Sequence, residues 1–253
     1  MEQSKYLYID TEVISDPKIC GWKNFKNMGF SCGVLGWEED REYKDESYTV
    51  LKDYFKRIVE FIKLGYTVVS FNGVGFDNNL IAYNLGVIDI NDYLNTDIGG
   101  SRSGQTWTTI DSGYLTWVIE HNAGQYEVAK AILDYRNGVS TAGKKTTREY
   151  KEYLDKHSLD ILLEIDKATG ENYSVGLNSV CSLTINREKS GEATEVFNLY
   201  KEGRIQEIID YCKNDTKILY EVHKFILEHH YVIIPLYKKY TKLTSNICLK
   251  VPL

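Results

Sequence analysis

The alternation of apolar and polar residues predicts strands, and apolar residues at helical spacing predict helices between them. The predicted strands are residues 5–10, 30–37, 66–72 and HSLDILLEI at 157–165, with shorter ones near Glu46–Val50 and within the C-terminal ICLKVPL. The predicted helices are Val50–Leu64, Asp77–Leu85, Leu177–Leu183, Glu192–Tyr200 and Arg204–His229. YTVVSFN at 66–72 is continuously apolar at its centre, which is typical of the buried middle of a sheet. Strands interleaved with helices predict an α/β domain.

Residues 95–148 depart from this pattern, because they are polar and rich in glycine, with one helical stretch near Glu127–Leu133. We predict a single domain over residues 1–253 with residues 95–148 as an insertion. The insertion combines aromatic residues with cations, the combination that stacks on single-stranded bases. They are Trp107, Tyr114, Trp117, Tyr126 and Tyr135, beside Arg102, Lys144, Lys145 and Arg148. The alternative, favoured for Trp117 and Tyr126, is a satellite core or a dimer contact.

Composition narrows the possible functions. The chain of 253 residues is 43% hydrophobic and 26% charged, as in ordinary globular proteins. A net charge of −6 argues against a protein that coats nucleic acid by bulk electrostatics, but not against an enzyme that grips a few nucleotides. No apolar run is long enough to predict a membrane span, and the N-terminus has no signal-peptide pattern. Five widely spread cysteines predict free thiols, so we expect a cytoplasmic protein without a membrane partner.

Three short segments place carboxylates where chemistry is possible. Asp10 and Glu12 are two positions apart on a strand, so both side chains project from the same face. Asp77 follows a buried strand through the turn NGVGFD, and Tyr211 lies four residues before Asp215 on a helix. Taken singly, these are more often a solvated strand end, a helix cap and a surface hydrogen bond.

Together, YIDTEV, FNGVGFD and YCKND resemble the three exonuclease motifs of the DEDD (DnaQ-like) superfamily of 3′→5′ exonucleases. A tyrosine four residues before the last aspartate marks the tyrosine subfamily (DEDDy). Residues 187–225 also resemble the C-terminal half of predicted PolB-like exonucleases. The resemblance covers about 1–90 and 157–253, and it implies a ribonuclease H-like fold with a mixed central sheet flanked by helices.

The resemblance implies a hydrolase that cleaves phosphodiester bonds with two Mg²⁺ or Mn²⁺ ions. Its metal-binding residues would be Asp10, Glu12 and Asp215 for the first ion, and Asp10 with Asp77 through water for the second. Tyr211 would complete the catalytic set by orienting the attacking water. The resemblance also implies that Thr11, Asn72 and Phe76 bind the substrate and that Asp160 has an auxiliary role. For Asp160, a buried structural role is an equal alternative.

The motifs leave the substrate open. The leading hypothesis is cleavage at the 3′ end of single-stranded DNA, and the second is trimming of RNA 3′ ends by an enzyme resembling RNase D. The 2′-hydroxyl is sensed outside the motifs, so they cannot separate the two. A non-catalytic module that binds nucleic acid or a partner is the third possibility. A polymerase or helicase would have to be a separate partner protein.

Overall fold

The computed structural model describes residues 4–99, 102–122, 124–170, 175–189, 195–235 and 246–251. Its strands are β1 (Lys5–Val13), β2 (Phe30–Glu39), β3 (Glu42–Tyr48), β4 (Tyr66–Ser70), β5 (Ser158–Asp160), β6 (Tyr231–Pro235) and β7 (Asn246–Lys250). Its helices are α1 (Pro17–Cys20), α2 (Phe25–Met28), α3 (Leu51–Lys63), α4 (Asp77–Leu85), α5 (Ser112–His121), α6 (Tyr126–Arg136), α7 (Thr147–Lys156), α8 (Ile161–Thr169), α9 (Leu177–Ile185), α10 (Val196–Lys201) and α11 (Ile205–His229).

The protein has an α/β fold built on a mixed five-stranded sheet in the order β3-β2-β1-β4-β5. β1, β4 and β5 run parallel, while β2 and β3 are antiparallel. β6 and β7 form a separate antiparallel pair. The apolar side of α11 packs with β1, β4 and α8 in a cluster that includes Tyr8, Val69 and Ile218. This packing fixes one long helix against the central strand.

The helix α3 shows how local sequence sets this geometry. Its buried residues Tyr54, Ile58 and Phe61 recur at helical spacing, as the sequence predicts. A Cβ on Gly33 would lie 2.7 Å from the Tyr54 ring, so only glycine lets β2 and this ring approach. The Tyr54 hydroxyl lies 3.2 Å from the Asp10 carbonyl and thereby supports β1 where the candidate site begins.

Most of the predicted elements are present. The structure adds helices α1, α2, α5, α7 and α8 and strand β6, and several predicted bounds differ. The predicted strand at 157–165 is wrong beyond Asp160, because the Asp160 side chain caps α8 by accepting from the Leu162 amide at 3.0 Å. β3 ends at Tyr48 and begins earlier than predicted. The C-terminal strand pairs with β6, which is not among the predicted strands. Residues 192–194 of the predicted helix at 192–200 lie outside the described residues.

The chain divides into two compact units. Unit 1 comprises residues 1–12, 31–77 and 157–253, and unit 2 comprises residues 13–30 and 78–156. The 95–148 segment lies within unit 2 and contains α5 and α6, packed around its own core of apolar residues such as Trp107 and Leu115. The single-domain description remains a prediction.

Two of the insertion's aromatic residues bear on these expectations. Trp107 is only 4% exposed and belongs to the core of unit 2, so its ring is not available to bases. Trp117 is 48% exposed and stacks on Tyr114, so it is not buried in a satellite core, and the dimer contact stays a prediction.

Within the part of the chain that the structure describes, no helix is both long enough and apolar enough to cross a membrane.

Candidate functional site

The site forms where the parallel strands of unit 1 end. Tyr8 of β1 pairs with Val69 of β4, so Asp10 lies just beyond the last residues of β4. Ser70 pairs with Asp160, which places the end of β5 at the same edge. Side chains following all three strands therefore gather at one edge of the sheet, as is usual for ligand sites in α/β proteins.

Two carboxylates and a thiol form the centre of this edge. Potential ligand atoms of Asp10, Glu12 and Cys212 all lie within 4.8 Å of one another. The Cys212 thiol donates to the Asp10 carboxylate at 3.3 Å. This contact joins β1 to α11. The proximity of the Asp10 and Glu12 carboxylates confirms the prediction that the two side chains share a face.

The helix α11 brings Asp215 to the same place. Asp215 is 2% exposed and lines a pocket of about 230 Å³ together with Asp10, Phe71 and Asn72. Its Oδ2 pairs with the Lys189 ammonium. Its Oδ1 is buried and has no hydrogen-bond partner among the described residues. A buried carboxylate oxygen without a partner is costly, and it marks a position where a ligand would be stabilising.

Tyr211 lies one helical turn before Asp215, beside the same lysine. The Lys189 ammonium lies 5.4 Å from the centre of the Tyr211 ring. Burial and the Asp215 charge raise the pKa of the Tyr211 phenol further above its usual value. The phenol is therefore protonated at neutral pH and can donate a hydrogen bond.

Asp77 is held by β1. The Thr11 hydroxyl donates to the Asp77 carboxylate at 2.5 Å, and both residues are buried. Asp77 begins α4, as predicted. In the described residues, the group of ligand atoms around Asp10 does not extend to Asp77 or Asp215, but both charges act on Asp10.

Asp160 has the contacts of a structural carboxylate. Its two oxygens accept from the backbone amides of Asn72 and Val74, each at 2.9 Å. It thereby fixes the turn that carries Asn72 in a left-handed conformation, with φ at +65°. This favours the structural alternative for Asp160, because its oxygens are already used by backbone donors.

Burial and neighbouring charges disfavour ionisation of the carboxylates in this cluster. Burial raises the pKa of Asp10 well above its usual value, and the charges of Asp215 and Asp77 raise it further. Burial and the Asp10 charge likewise raise the pKa of Glu12. Burial raises the pKa of Asp77 to about 6. It also raises the pKa of Asp215, against the opposing effect of Lys189. These shifts are the ones expected for several carboxylates that share a buried site.

Sequence reasoning assigned no role to three residues at this site. Lys189 lies in REKSG, within the segment that carries the resemblance. Nothing in the local sequence indicates that it pairs with Asp215, 26 positions later. Cys212 was predicted only as an apolar residue of α11. Phe71 lines the pocket, whereas Phe76 is not among its lining residues in the described part of the chain.

The fold and site define an α/β protein with a buried carboxylate cluster at the end of its central strands. No protein-family model, curated protein or solved structure matches the chain.

Proposed function

We propose that this protein is a metal-dependent 3′→5′ exonuclease of the tyrosine DEDD type, on a ribonuclease H-like fold. The observation that carries the proposal is the buried Oδ1 of Asp215, which has no hydrogen-bond partner among the described residues, while Asp215 and Asp10 line one pocket. The mixed sheet is compatible with the fold, and the motif residues of three separate segments gather at one edge of it.

The residues fit a hard divalent cation. Asp10, Glu12 and Asp215 offer carboxylate oxygens, the ligands that Mg²⁺ and Mn²⁺ prefer. Their raised pKa values reflect burial and mutual repulsion, which a bound cation would relieve. Asp10, Glu12 and Asp215 would hold one ion, and Asp10 with Asp77 the other. When bound, two such ions would neutralise the scissile phosphate and lower the pKa of a bound water.

The protein's own groups would position the reactants. The Tyr211 phenol, protonated at neutral pH, would orient the attacking water by hydrogen bonding and would not remove its proton. The Thr11 hydroxyl fixes the Asp77 carboxylate by donating to it. The turn held by Asp160 presents Asn72 and Phe71 to the pocket, where a terminal nucleotide would be bound.

Lys189 would have two successive roles. In the absence of ions its ammonium compensates the Asp215 charge, because the two groups form a largely buried ion pair. With substrate present, an ammonium at this position would contact the phosphate being cleaved, since Lys is a point donor suited to phosphate oxygens.

The direct test is an end-labelled cleavage assay. Single-stranded DNA, double-stranded DNA and RNA, each labelled at the 5′ end, are incubated with Mg²⁺, Mn²⁺ or EDTA. We expect single-stranded DNA to shorten stepwise from its 3′ end with either metal and to remain intact in EDTA. RNA as the better substrate would instead support the RNA-trimming alternative.

Two variants make the assay specific. Asp215→Asn should lose cleavage, because it removes a charged metal ligand while keeping the side-chain shape. Asp210→Asn is the matched control, since Asp210 is an exposed carboxylate on the same helix, bonded to Gln206. Failure to cleave any substrate would favour the non-catalytic alternative, and cleavage by Asp215→Asn would refute the assignment of the site.

A further inference from the structure

Unit 2 contains a second pocket, which none of the candidate site residues lines. It has a volume of about 300 Å³ and lies among the end of α4, the helix α6 and the segment 139–147. Its wall includes the aromatic rings of Tyr83, Tyr126 and Tyr135. Pockets of this size that combine apolar walls with a few polar groups are typical of small-ligand sites.

A carboxylate lies inside this wall. Glu127, in the first turn of α6, accepts from the Lys26 backbone amide at 2.7 Å through Oε1. Burial raises the pKa of Glu127 to about 7. A ligand group that donates a hydrogen bond to Glu127 would offset the cost of burying its charge.

A second polar group is left without a partner at the pocket. Thr147 is 7% exposed and lines the pocket, and its hydroxyl is buried with no hydrogen-bond partner among the described residues. Buried hydroxyls are nearly always paired, so this group is an exception in the wall of the pocket. It is independent of the Glu127 observation.

The cations at the pocket are not equally available. The Lys26 ammonium lies 3.2 Å from the Tyr83 carbonyl and 3.4 Å from the Asn84 carbonyl, and Lys130 pairs with Asp134. Lys144 is exposed, and within the described residues its ammonium has no ion-pair partner. An anionic group of a ligand would therefore meet Lys144 at the rim.

We propose that this pocket binds one nucleotide whose base carries an exocyclic amino group, with the base against the tyrosine rings and Glu127 and the phosphate at Lys144. Aromatic rings favour a flat ligand, as in the stacking of unpaired bases. A carboxylate accepts from the amino group of cytosine, adenine or guanine. The Watson–Crick edge of thymine has a single N3–H donor flanked by two carbonyl oxygens, and these oxygens repel a carboxylate.

The proposal is separate from the nuclease chemistry and can be tested without it. Isothermal titration calorimetry in EDTA would measure dAMP, dCMP, dGMP and dTMP binding to the full chain. At pH 8, above the pKa of Glu127, we expect the three amino-bearing nucleotides to bind roughly tenfold or more tightly than dTMP, the difference expected for a hydrogen bond to a charged group.

Substitutions of the lining residues test whether the nucleotides bind in this pocket. Glu127→Gln keeps an acceptor for the Lys26 amide and should abolish the discrimination against dTMP. Lys144→Met should weaken all four nucleotides several-fold, while Lys52→Met, an exposed change on α3, should have no effect. The Glu127→Gln variant must keep the circular dichroism spectrum of the wild type. If it does not fold, nucleotides and the matching nucleosides are titrated into the wild type and Lys144→Met. Only the nucleotides should bind the variant more weakly, because the nucleosides lack the phosphate that Lys144 would contact.

Four results would overturn the proposal. The first three are no detectable binding of any nucleotide at millimolar concentration, equal affinity for dTMP, and unchanged discrimination in Glu127→Gln. Loss of binding in Asp215→Asn would also overturn it, since that residue belongs to the candidate site of unit 1. Nucleotide binding with no nuclease activity would support the pocket and refute the proposed function, so the two can fail separately.

Discussion

Replacing Asp77 with asparagine is expected to stabilise the metal-free protein. Asp77 is 5% exposed, and burial raises its pKa from 3.8 to about 6. Asparagine keeps an oxygen that can accept from the Thr11 hydroxyl, so the local hydrogen bond survives the substitution. The variant removes the buried charge and replaces one carboxylate oxygen with an amide nitrogen, and the backbone amides of Asp77 and Thr11 also bond to this carboxylate.

The size of the effect follows from the pKa. A group whose folded pKa is raised destabilises the fold only above its unfolded pKa, and fully above its folded pKa. For Asp77 the penalty is absent below pH 3.8, grows between pH 3.8 and about 6, and is complete at pH 7. At about 1.4 kcal/mol for each tenfold change in proton affinity, it amounts to about 3 kcal/mol.

Thermal unfolding in EDTA at pH 7 and pH 4 measures this difference. At pH 7, Asp77→Asn should melt about 5–10 °C above the wild type, and at pH 4 the two should nearly coincide. Asp53→Asn, an exposed change on α3, controls for the loss of one negative charge. Adding Mn²⁺ should stabilise the wild type more than the variant. A lower melting temperature for Asp77→Asn at pH 7 would refute the reasoning and make this carboxylate structural.

Three further predictions concern Lys189, Tyr211 and His223. Lys189→Met should destabilise the metal-free protein by about 2 kcal/mol, and most of that loss should vanish when Asp215→Asn is added; a double-mutant cycle with no coupling would contradict the ion pair. Tyr211→Phe should lower kcat roughly tenfold to a hundredfold with unchanged metal affinity, and a change in metal affinity alone would contradict a water-orienting role. Burial lowers the pKa of His223 from 6.5 to about 4. The free energy of unfolding should therefore fall by about 3 kcal/mol as the pH falls from 6.5 to about 4. The fall should be smaller in His223→Gln, whose amide can pair with the Tyr8 hydroxyl, and equal falls in both proteins would contradict a buried neutral imidazole.

The spacing of apolar and polar residues was sufficient to predict features that lie within a single strand or helix. Alternation along β1 predicted that Asp10 and Glu12 share a face, and helical spacing predicted α11 with Tyr211 and Asp215 one turn apart. The spacing of apolar residues along one strand does not show which other strands pair with it. The placement of Asp77 near β1 came from the resemblance to the exonuclease motifs.

Contacts between distant segments could not be predicted in this way. Lys189 follows α9, and its pairing with Asp215 depends on how α9 packs on α11. Short apolar runs were also ambiguous: 157–165 has the composition of a strand, and only the Asp160 cap shows that a helix begins there. β6 could have been found, since its β-branched run, VII, follows the end of α11 at His230.

The proposal that the carboxylates hold the catalytic ions can be tested most directly by anomalous diffraction from a crystal soaked in Mn²⁺. We expect two peaks about 3.5–4 Å apart, one bound by Asp10, Glu12 and Asp215 and the other near Asp10 and Asp77. The Lys189 ammonium should have moved away from Asp215, whose unpaired Oδ1 should face the first peak. Absence of manganese from this cluster, or its binding only elsewhere, would contradict the account.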